Sequence, residues 1–375
     1  MLRVIEVFRE PIANGGQESY LMNMYRNIDR TKVQLDFFTP FTVDNPALKA
    51  EIESMGGHVY SANHPFGVSN NKVFKESLEQ FLSTHHYPIV HLHSGSAYAL
   101  MEGSRLAAKA GVPNILVHSH CGGFKNLKYR IIKTISIPWM LRYPTKYLAC
   151  SDLAAEWKFP AKIIRSKNYT VLKNAVDLDV FRYNPEWNHE IRQSLGIGED
   201  TLVVGHVGRF SLQKNHAFLI DIFEQIHKLH PDSVLMLAGS GELEDEIRTK
   251  VHEKHLDDAV LFLGIRKDIN KLMNAMNVFV LPSFFEGLPV VGVEAQCTGL
   301  RVVTSTAVAR ELPIENMALY IPLEDSPETW AKKILEFAKY ERHDTSEQIR
   351  KAGYEVKEAA RKFQDLYLSL EGDHA

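Results

Sequence analysis

Short apolar runs alternate along the chain with longer stretches whose apolar side chains recur every three or four positions. Leu2-Arg-Val-Ile-Glu-Val-Phe reads as a buried strand. The glycine pair Gly15-Gly16 then opens an amphipathic helix carrying Leu21, Met24 and Tyr25. Further strands are expected at Gln34-Leu-Asp-Phe-Phe, His58-Val-Tyr, Ile89-Val-His-Leu-His, Pro113 to His120, Lys146 to Cys150 and Tyr169 to Leu172. Helices are expected at 46–55, 71–84 and 97–110. Residues 173–181 are polar, turn-rich and linker-like, and lead into Pro185. A second alternation follows, with strands at Leu202 to Gly208, Ser233 to Gly239, Val260 to Gly264, Val278 to Leu281 and Arg301 to Thr304. Its helices are expected at 215–229, 242–255 and 268–275, with one after Pro289, and charged amphipathic helices at 327–339 and 346–370. Strand–helix alternation of this kind predicts mostly parallel sheets with helices on both faces. The chain therefore reads as two Rossmann-like α/β halves, with a ligand expected in the cleft between them.

Length agrees, because 375 residues exceed one typical domain. The formal net charge of −3 hides an asymmetry: residues 1–172 hold 20 Lys/Arg against 13 Asp/Glu, and the remainder 23 against 33. A basic first half suits anionic lipid or a phosphorylated acceptor. Cys121, Cys150 and Cys297 are odd in number and outside any CxxC spacing, which points to a reducing compartment rather than a disulfide framework or zinc site. The first strand begins at Leu2, leaving no room for a signal peptide, and no apolar run approaches the ~18–20 residues of a spanning helix. A cytoplasmic protein is expected, with no nucleic-acid partner.

The richest chemistry lies at 283–296, Ser283-Phe-Phe-Glu-Gly-Leu-Pro-Val-Val-Gly-Val-Glu-Ala-Gln. A strand, a glycine-containing loop and a helix N-terminus form an anion-binding corner, flanked here by Glu286 and Glu294. Phosphate at the amides and hydroxyls at the carboxylates are what a sugar nucleotide offers. The same pattern also suits an ordinary strand–loop–helix with two surface glutamates. Arg209 and Lys214 follow the first strand of the second half, where two cations can neutralise a diphosphate; a solvated basic loop is the plainer reading. Gly15-Gly16 suits either close approach to a ligand or a tight turn. Gly264 leaves room for a flat base, with residue 265 offering backbone polar groups, and Ser240-Gly241-Glu242 ends another strand. His91, His93, His118 and His120 end adjacent strands. A metal there is conceivable, but no carboxylate-rich DxD stands near, so hydrogen bonding to a sugar, or simple burial, is the expectation. Residues 124–147 carry six cations and no acid among isoleucines and Trp139. They read either as a membrane-interface segment or as a helix packed on its own domain with a basic solvent face.

Taken in order, Gly15-Gly16, Gly208-Arg209, Lys214 and Glu286-x7-Glu294 after Pro282-Ser283 resemble the retaining GT-B glycosyltransferases of family 4, over essentially the whole chain. Residues 15–30, Val33 to Phe37 and His118-Ser-His120 are similar to a narrower set, the EpsF-like bacterial exopolysaccharide and capsular-polysaccharide transferases. The resemblance implies a GT-B fold: an acceptor-binding domain at 1–172, a donor-binding domain at 173–354, and a final helix within 355–375 that crosses back. It implies that Glu286 binds the donor sugar's hydroxyls and Glu294 the ribose. Arg209 and Lys214 would hold the diphosphate, helped by amides around Gly287 to Val290, a stretch that includes Leu288 and Pro289, and by Gly15 and Gly16. Gly264 and Ile265 would meet the base, with Arg266 near it, and His120 would match the active-site histidine near the sugar's C6 hydroxyl. Asn174 and Asp177 match a hinge. The loop Ser305-Thr-Ala-Val-Ala-Arg-Glu311 departs from the family, where many members carry a glycine pair. The implied reaction moves a hexosyl or N-acetylhexosaminyl unit from a nucleotide-diphosphate sugar, a UDP-sugar by preference, to a growing lipid-linked oligosaccharide. It needs no metal or other cofactor. Two rivals share the outline: a UDP-sugar 2-epimerase, and a non-catalytic sugar-nucleotide-binding subunit.

Overall fold

The computed structural model describes residues 1–13, 15–67, 70–120 and 127–372; Cys121 and the start of the basic segment, 124–126, lie outside them. The chain divides into two compact units, Met1–Ala175 with Val356–Ala375, and Val176–Glu355.

Unit 1 runs β1 (Leu2–Phe8), α1 (Gly16–Asn27), β2 (Val33–Phe41), α2 (Pro46–Ser54), β3 (Val59–His64), α3 (Asn70–Thr84), β4 (Ile89–His93), α4 (Ala97–Lys109), β5 (Asn114–Ser119), α5 (Leu127–Met140), β6 (Lys146–Ala149), α6 (Asp152–Lys158), α7 (Ala161–Arg165) and β7 (Thr170–Val171). Its sheet has the order β3-β2-β1-β4-β5-β6-β7, parallel throughout. Such a sheet is covered on both faces, so its strands read as continuous apolar runs: all nine residues of β2 are buried. Chain direction across the sheet reverses between β1 and β4, and their carboxyl ends form a topological switch point.

Unit 2 runs α8 (Pro185–Leu195), β8 (Leu202–Val207), α9 (His216–Leu229), β9 (Ser233–Ala238), α10 (Glu244–Glu253), β10 (Val260–Phe262), α11 (Ile269–Ala275), β11 (Val278–Leu281), α12 (Val290–Cys297), β12 (Val302–Ser305), β13 (Ala318–Ile321), α13 (Pro327–Phe337) and α14 (Ser346–Lys351). Its parallel sheet has the order β10-β9-β8-β11-β12-β13, with the switch point between β8 and β11. The last helix, α15 (Val356–Gly372), returns to unit 1. There Val356, Phe363, Tyr367 and Leu370 join the core beneath α1.

Three local expectations change. The helix expected over 346–370 is two helices. Gly353 takes φ +78, and the Tyr354 amide donates back to the Ile349 carbonyl, closing α14 before α15 begins. The linker-like stretch leads straight into α8, whose N-cap Asn184 accepts from the Glu186 amide with Pro185 in the first turn. The helix expected from 242 starts at Glu244, because the Leu243 amide is tied to the Phe210 carbonyl at 3.1 Å. Cys150 and Cys297 are buried, and neither forms a disulfide among the described residues.

Candidate active site

In unit 2 the site residues gather at the carboxyl ends of β8 and β11. The loop leaving β8 crosses the loop leaving β9 at very short range. A Cβ on Gly239, which takes φ +139, would lie 2.1 Å from the Gly208 carbonyl oxygen; one on Gly241 would lie 2.5 Å from that of Phe210. Glycine at both positions lets the two loops lie against each other. The Gly208 and Phe210 amides donate to the Ala238 and Ser240 carbonyls, and the Gly239 amide to that of Gly264. Asn215, in the left-handed region at φ 57, then turns the chain into α9 and donates from Nδ2 to the Pro282 carbonyl. With Gln213 Nε2 on the Phe285 carbonyl and the Phe284 amide on the Gln213 carbonyl, the β8–α9 loop is latched to the stretch after β11.

That latch brings Lys214 to Glu286. Lys214 Nζ donates to Glu286 Oε1 at 2.6 Å, and Ser283 Oγ donates to the same oxygen at 2.7 Å. Both side chains are largely buried. Glu286 is also fixed through its backbone, which bridges to Val308 and accepts from the Ala309 amide. The loop 305–311, where the sequence departs from the family pattern, therefore holds Glu286 in place. Gly287, Leu288 and Pro289 lead into α12, which has no side-chain cap; its Val290 and Val291 amides are open to an anion, while that of Gly292 already donates to the Pro289 carbonyl at 2.9 Å. Glu294, one turn further, has no hydrogen-bond or ion-pair partner among the described residues. Burial pushes its carboxyl up to about 7.

Arg209 is exposed and pairs through Nε with Glu242 Oε2 at 3.1 Å, a contact screened by solvent and readily exchanged for a phosphate. Gly264, at φ 62, has nothing within 4 Å of an added Cβ, and Ile265 beside it is exposed. Arg266 folds onto Asp268 through two hydrogen bonds of 2.8 and 2.6 Å. Asn174 and Asp177 flank the point where the chain passes between units. Asp177 Oδ1 accepts from the Asp179 and Val180 amides, and the buried Asn174 Oδ1 has no partner among the described residues.

In unit 1, Gly15 caps α1 with ordinary φ, and a Cβ there would meet the Glu18 carboxylate. Gly16 has nothing within 4 Å of an added Cβ, so no protein contact demands glycine at that position. The four histidines do come together. His118 and His120 stack with ring centroids 4.0 Å apart, and His93 Nδ1 lies 2.7 Å from His120 Nε2. His91, His93 and His118 place ring nitrogens within 4.8 Å of one another. Both nitrogens of His93 and one of His91 are engaged in hydrogen bonds, however. Within that group of three only His91 and His118 keep a free ring nitrogen, fewer than the three or four protein ligands usual for zinc. Sequence reasoning missed their partner, Glu6. The signal was available: Glu6 is the lone acid within the buried apolar run Val4 to Phe8, a position an acid takes only when paired.

Two family profiles divide the chain between them: "Glycosyltransferase Family 4" matches residues 14–180 and "Glycosyl transferases group 1" residues 188–356. The Bacillus subtilis protein EpsF, a glycosyltransferase by name, is 32% identical over 370 residues, which cover 96% of this chain and 95% of that one. An Escherichia coli UDP-Gal:α-D-GlcNAc-diphosphoundecaprenol α-1,3-galactosyltransferase is 30% identical over 248 residues, 64% of this chain and 63% of that one. Among solved structures, Anabaena HepE in complex with UDP superimposes with a TM-score of 0.77 at 20% identity, covering 98% of this chain and all of that one. The two switch-point lobes and the loop–helix corner thus define a GT-B glycosyltransferase, an enzyme that moves a sugar from a nucleotide-diphosphate donor. The chain belongs to glycosyltransferase family 4, and is EpsF-like within it.

Proposed function

We propose that this enzyme transfers a hexosyl or N-acetylhexosaminyl unit, with retention, from a UDP-sugar to a lipid-linked saccharide in exopolysaccharide or capsule assembly. One observation carries the reading: Lys214, Glu286, the open first turn of α12 and the unpaired Glu294 share one corner at the unit 2 switch point. The names of two relatives support the chemistry, since HepE holds UDP and the E. coli enzyme uses UDP-Gal and a diphosphoundecaprenol acceptor. Arg209 and Lys214, with the amides of Gly287, Leu288 and Val290, hold the diphosphate. Glu286, whose Oε1 is claimed by Lys214 and Ser283, turns Oε2 to the sugar hydroxyls. Glu294 accepts from the ribose, and Gly264 and Ile265 meet the base. From unit 1, Gly15 and Gly16 serve the phosphates and His120 the sugar.

In the reaction the bond from the sugar C1 to the β-phosphate oxygen breaks, and a bond from C1 to the acceptor oxygen forms on the same face. The acceptor's proton passes to the departing phosphate, giving UDP. Charge building on that phosphate meets Arg209, Lys214 and the positive end of α12. Glu286 positions and does not attack. Arg209→Ala and Lys214→Ala should each lower kcat roughly 10²–10³-fold while the fold is retained. The assay is UDP release with a polyprenyl-diphosphate acceptor, after a thermal-shift panel of UDP-, GDP- and ADP-sugars has fixed the donor. Near-wild-type turnover in both variants would sink the assignment. The 2-epimerase alternative needs acid/base carboxylates at the sugar, and Glu6, with both oxygens taken, is not one of them; an epimerised nucleotide sugar formed without acceptor would favour that alternative.

Membrane contact belongs to the same proposal. The exposed face of α5 carries Ile131, Ile135 and Trp139 in one row, 51, 63 and 39% exposed, with Leu141, Arg142 and Lys146 just beyond. Lys133 is instead bound by the Glu156 and Trp157 carbonyls. An apolar row rimmed by cations suits the headgroup region of an anionic bilayer, which brings a polyprenyl acceptor within reach of a cytoplasmic enzyme. No helix among the described residues is long and apolar enough to cross a membrane. Ile131→Glu/Ile135→Glu should release the protein from phosphatidylglycerol vesicles in sedimentation and leave activity on a short water-soluble acceptor intact. Equal binding by wild type and variant would refute the contact.

A further inference from the structure

Under the carboxyl ends of β1, β4 and β5, unit 1 buries a connected set of polar side chains that the donor site does not use. Glu6, His91 and His118 are 0% exposed and His93 1%. Tyr20 on α1 and Tyr367 on α15 close over them. Tyr367 Oη donates to Glu6 Oε1 at 2.6 Å and lies 2.6 Å from His91 Nδ1. His93 Nε2 lies 2.6 Å from Glu6 Oε2, and His93 Nδ1 lies 2.7 Å from His120 Nε2.

The protons along this chain can be assigned in order. Burial would raise the Glu6 carboxyl, but the imidazoles of His91 and His93 overcome it and hold it down at about 2. An ionised carboxylate only accepts, so His93 Nε2 carries a hydrogen. Burial, with His91 close by, outweighs the Glu6 carboxylate and lowers His93 to about 4, so its ring is neutral and Nδ1 is a lone pair. The group facing Nδ1 must then donate. His120 is driven well below its ordinary value by burial and by His93 and His91, so its single hydrogen sits on Nε2. Its Nδ1 is left bare, without a partner among the described residues, on a half-buried ring one residue past the end of β5. His118 stacked on one side and Tyr20, with its centroid 5.4 Å away, hold the plane of the ring. The buried Cys150 thiol donates to the His120 carbonyl and fixes its backbone.

We propose that Glu6 and His93 are positioning residues for sugar transfer: through two successive hydrogen bonds they lock His120 in one tautomer, so that its Nδ1 faces a substrate hydroxyl as an acceptor. The proposal rests on the reading of His120 as an active-site residue. It extends that reading to a specific atom and to the two residues that prepare it. An alcohol bound at Nδ1 donates its hydrogen and leaves its own oxygen lone pairs free. A His120 in the other tautomer would present an N–H instead and would recognise that hydroxyl in the wrong sense.

The test has two arms on the full-length enzyme. Long-range proton–nitrogen correlation spectra of ¹⁵N-histidine-labelled protein should show His93 and His120 both protonated at Nε2 and bare at Nδ1, with His93→Gln and His120→Gln used for assignment. A His120 protonated at Nδ1 would overturn the relay without any activity measurement. In kinetics, His93→Phe removes the acceptor that selects the tautomer. It should lower kcat roughly 10- to 100-fold with the donor KM little changed. His93→Gln, whose side-chain oxygen still accepts from His120 Nε2, should recover most of that loss. Wild-type kcat in His93→Phe alongside a crippled His120→Ala overturns the positioning role. Wild-type turnover in His120→Ala, with the Nε2–H tautomer intact, overturns instead the active-site reading on which the proposal stands. Should His93→Phe fail to fold, the wild-type spectrum still decides.

Discussion

Glu294 is the side chain whose protonation state most directly links stability to binding. It sits on α12 half-buried, with no cation or donor on its carboxyl among the described residues, and burial pushes it up to about 7. The folded state therefore keeps a proton that the unfolded state releases near the ordinary value of 4.5. Between these values the folded state binds more protons, so stability falls as pH rises from 4.5 to about 7 and levels off above. The cost at neutral pH is on the order of 3 kcal/mol, the scale of the difference between 4.5 and about 7. Glu294→Gln removes the ionisation, so it should raise the denaturation midpoint at pH 8, narrow the difference between pH 5 and pH 8, and weaken UDP binding. UDP affinity of the wild type should rise from pH 6 to pH 8, because ribose hydroxyls need an ionised acceptor. Calorimetric titrations in buffers of different ionisation heat should detect the proton released on binding. A pH-independent UDP affinity would remove Glu294 from the ribose. At this scale the sequence is uneven. Glu286 and Glu294 can be picked out because their spacing brackets a helix start. The Lys214–Glu286 contact, 72 residues apart in sequence, depends on the latch between two loops. The Glu6–His93 contact spans 87 residues and needs strand register, which no local pattern carries.

At the level of elements, the β8–α9 loop shows how backbone shape sets side-chain chemistry. Arg209 and Lys214 point from a loop that exists in this form only because Gly239 allows the Gly208 carbonyl within 2.1 Å of where its Cβ would be. Gly239→Ala imposes both an unfavourable φ of +139 and a backbone clash that no side-chain rotation can relieve. The variant should lose more than about 2 kcal/mol of stability and bind UDP more weakly. Gly196, at the end of α8, makes the matched control: its φ is +69, but its Cβ position is open, so Gly196→Ala should cost only about 1–2 kcal/mol and leave the loop in place. Thermal denaturation and UDP titration of the two variants separate strain from clash. Similar losses in both would mean that the loop crossing does not hold the site. Most strands and helices were legible from apolar runs and helical periodicity, because a parallel sheet covered on both faces demands them. The two-helix ending reads as a single helix in the sequence because the amphipathic pattern continues across Gly353. Only its positive φ stops the helix.

For the whole molecule, the path of the chain predicts an asymmetry in folding. Unit 2 is one continuous stretch, Val176–Glu355, whereas unit 1 needs the final helix as well. α15 delivers Val356, Phe363, Tyr367 and Leu370 to the core beneath α1, each buried to within a few per cent. It is also pinned by polar contacts: Gln364 Oε1 accepts the Asp29 amide at 2.6 Å, Asn114 Nδ2 donates to the Leu370 carbonyl, and Tyr367 Oη donates to Glu6. Four large apolar side chains at about 1.5–3 kcal/mol each amount to roughly the whole stability of a typical domain. Losing Tyr367 also leaves one oxygen of a fully buried carboxylate without a donor. An amphipathic helix says that it must cover a core but not which one, so local periodicity carries no sign of this return. A chain ending at Glu355 should therefore unfold unit 1 while unit 2 stays folded. In urea, the full-length protein should lose both units in major transitions. The truncated chain should keep one transition, together with UDP-induced stabilisation arising from Arg209, Lys214 and Glu294. The isolated 176–355 fragment should reproduce that remaining transition, and 1–175 alone should give no cooperative unfolding. A cooperative, native-like 1–175 fragment would show that α15 is an accessory to unit 1 rather than part of its core.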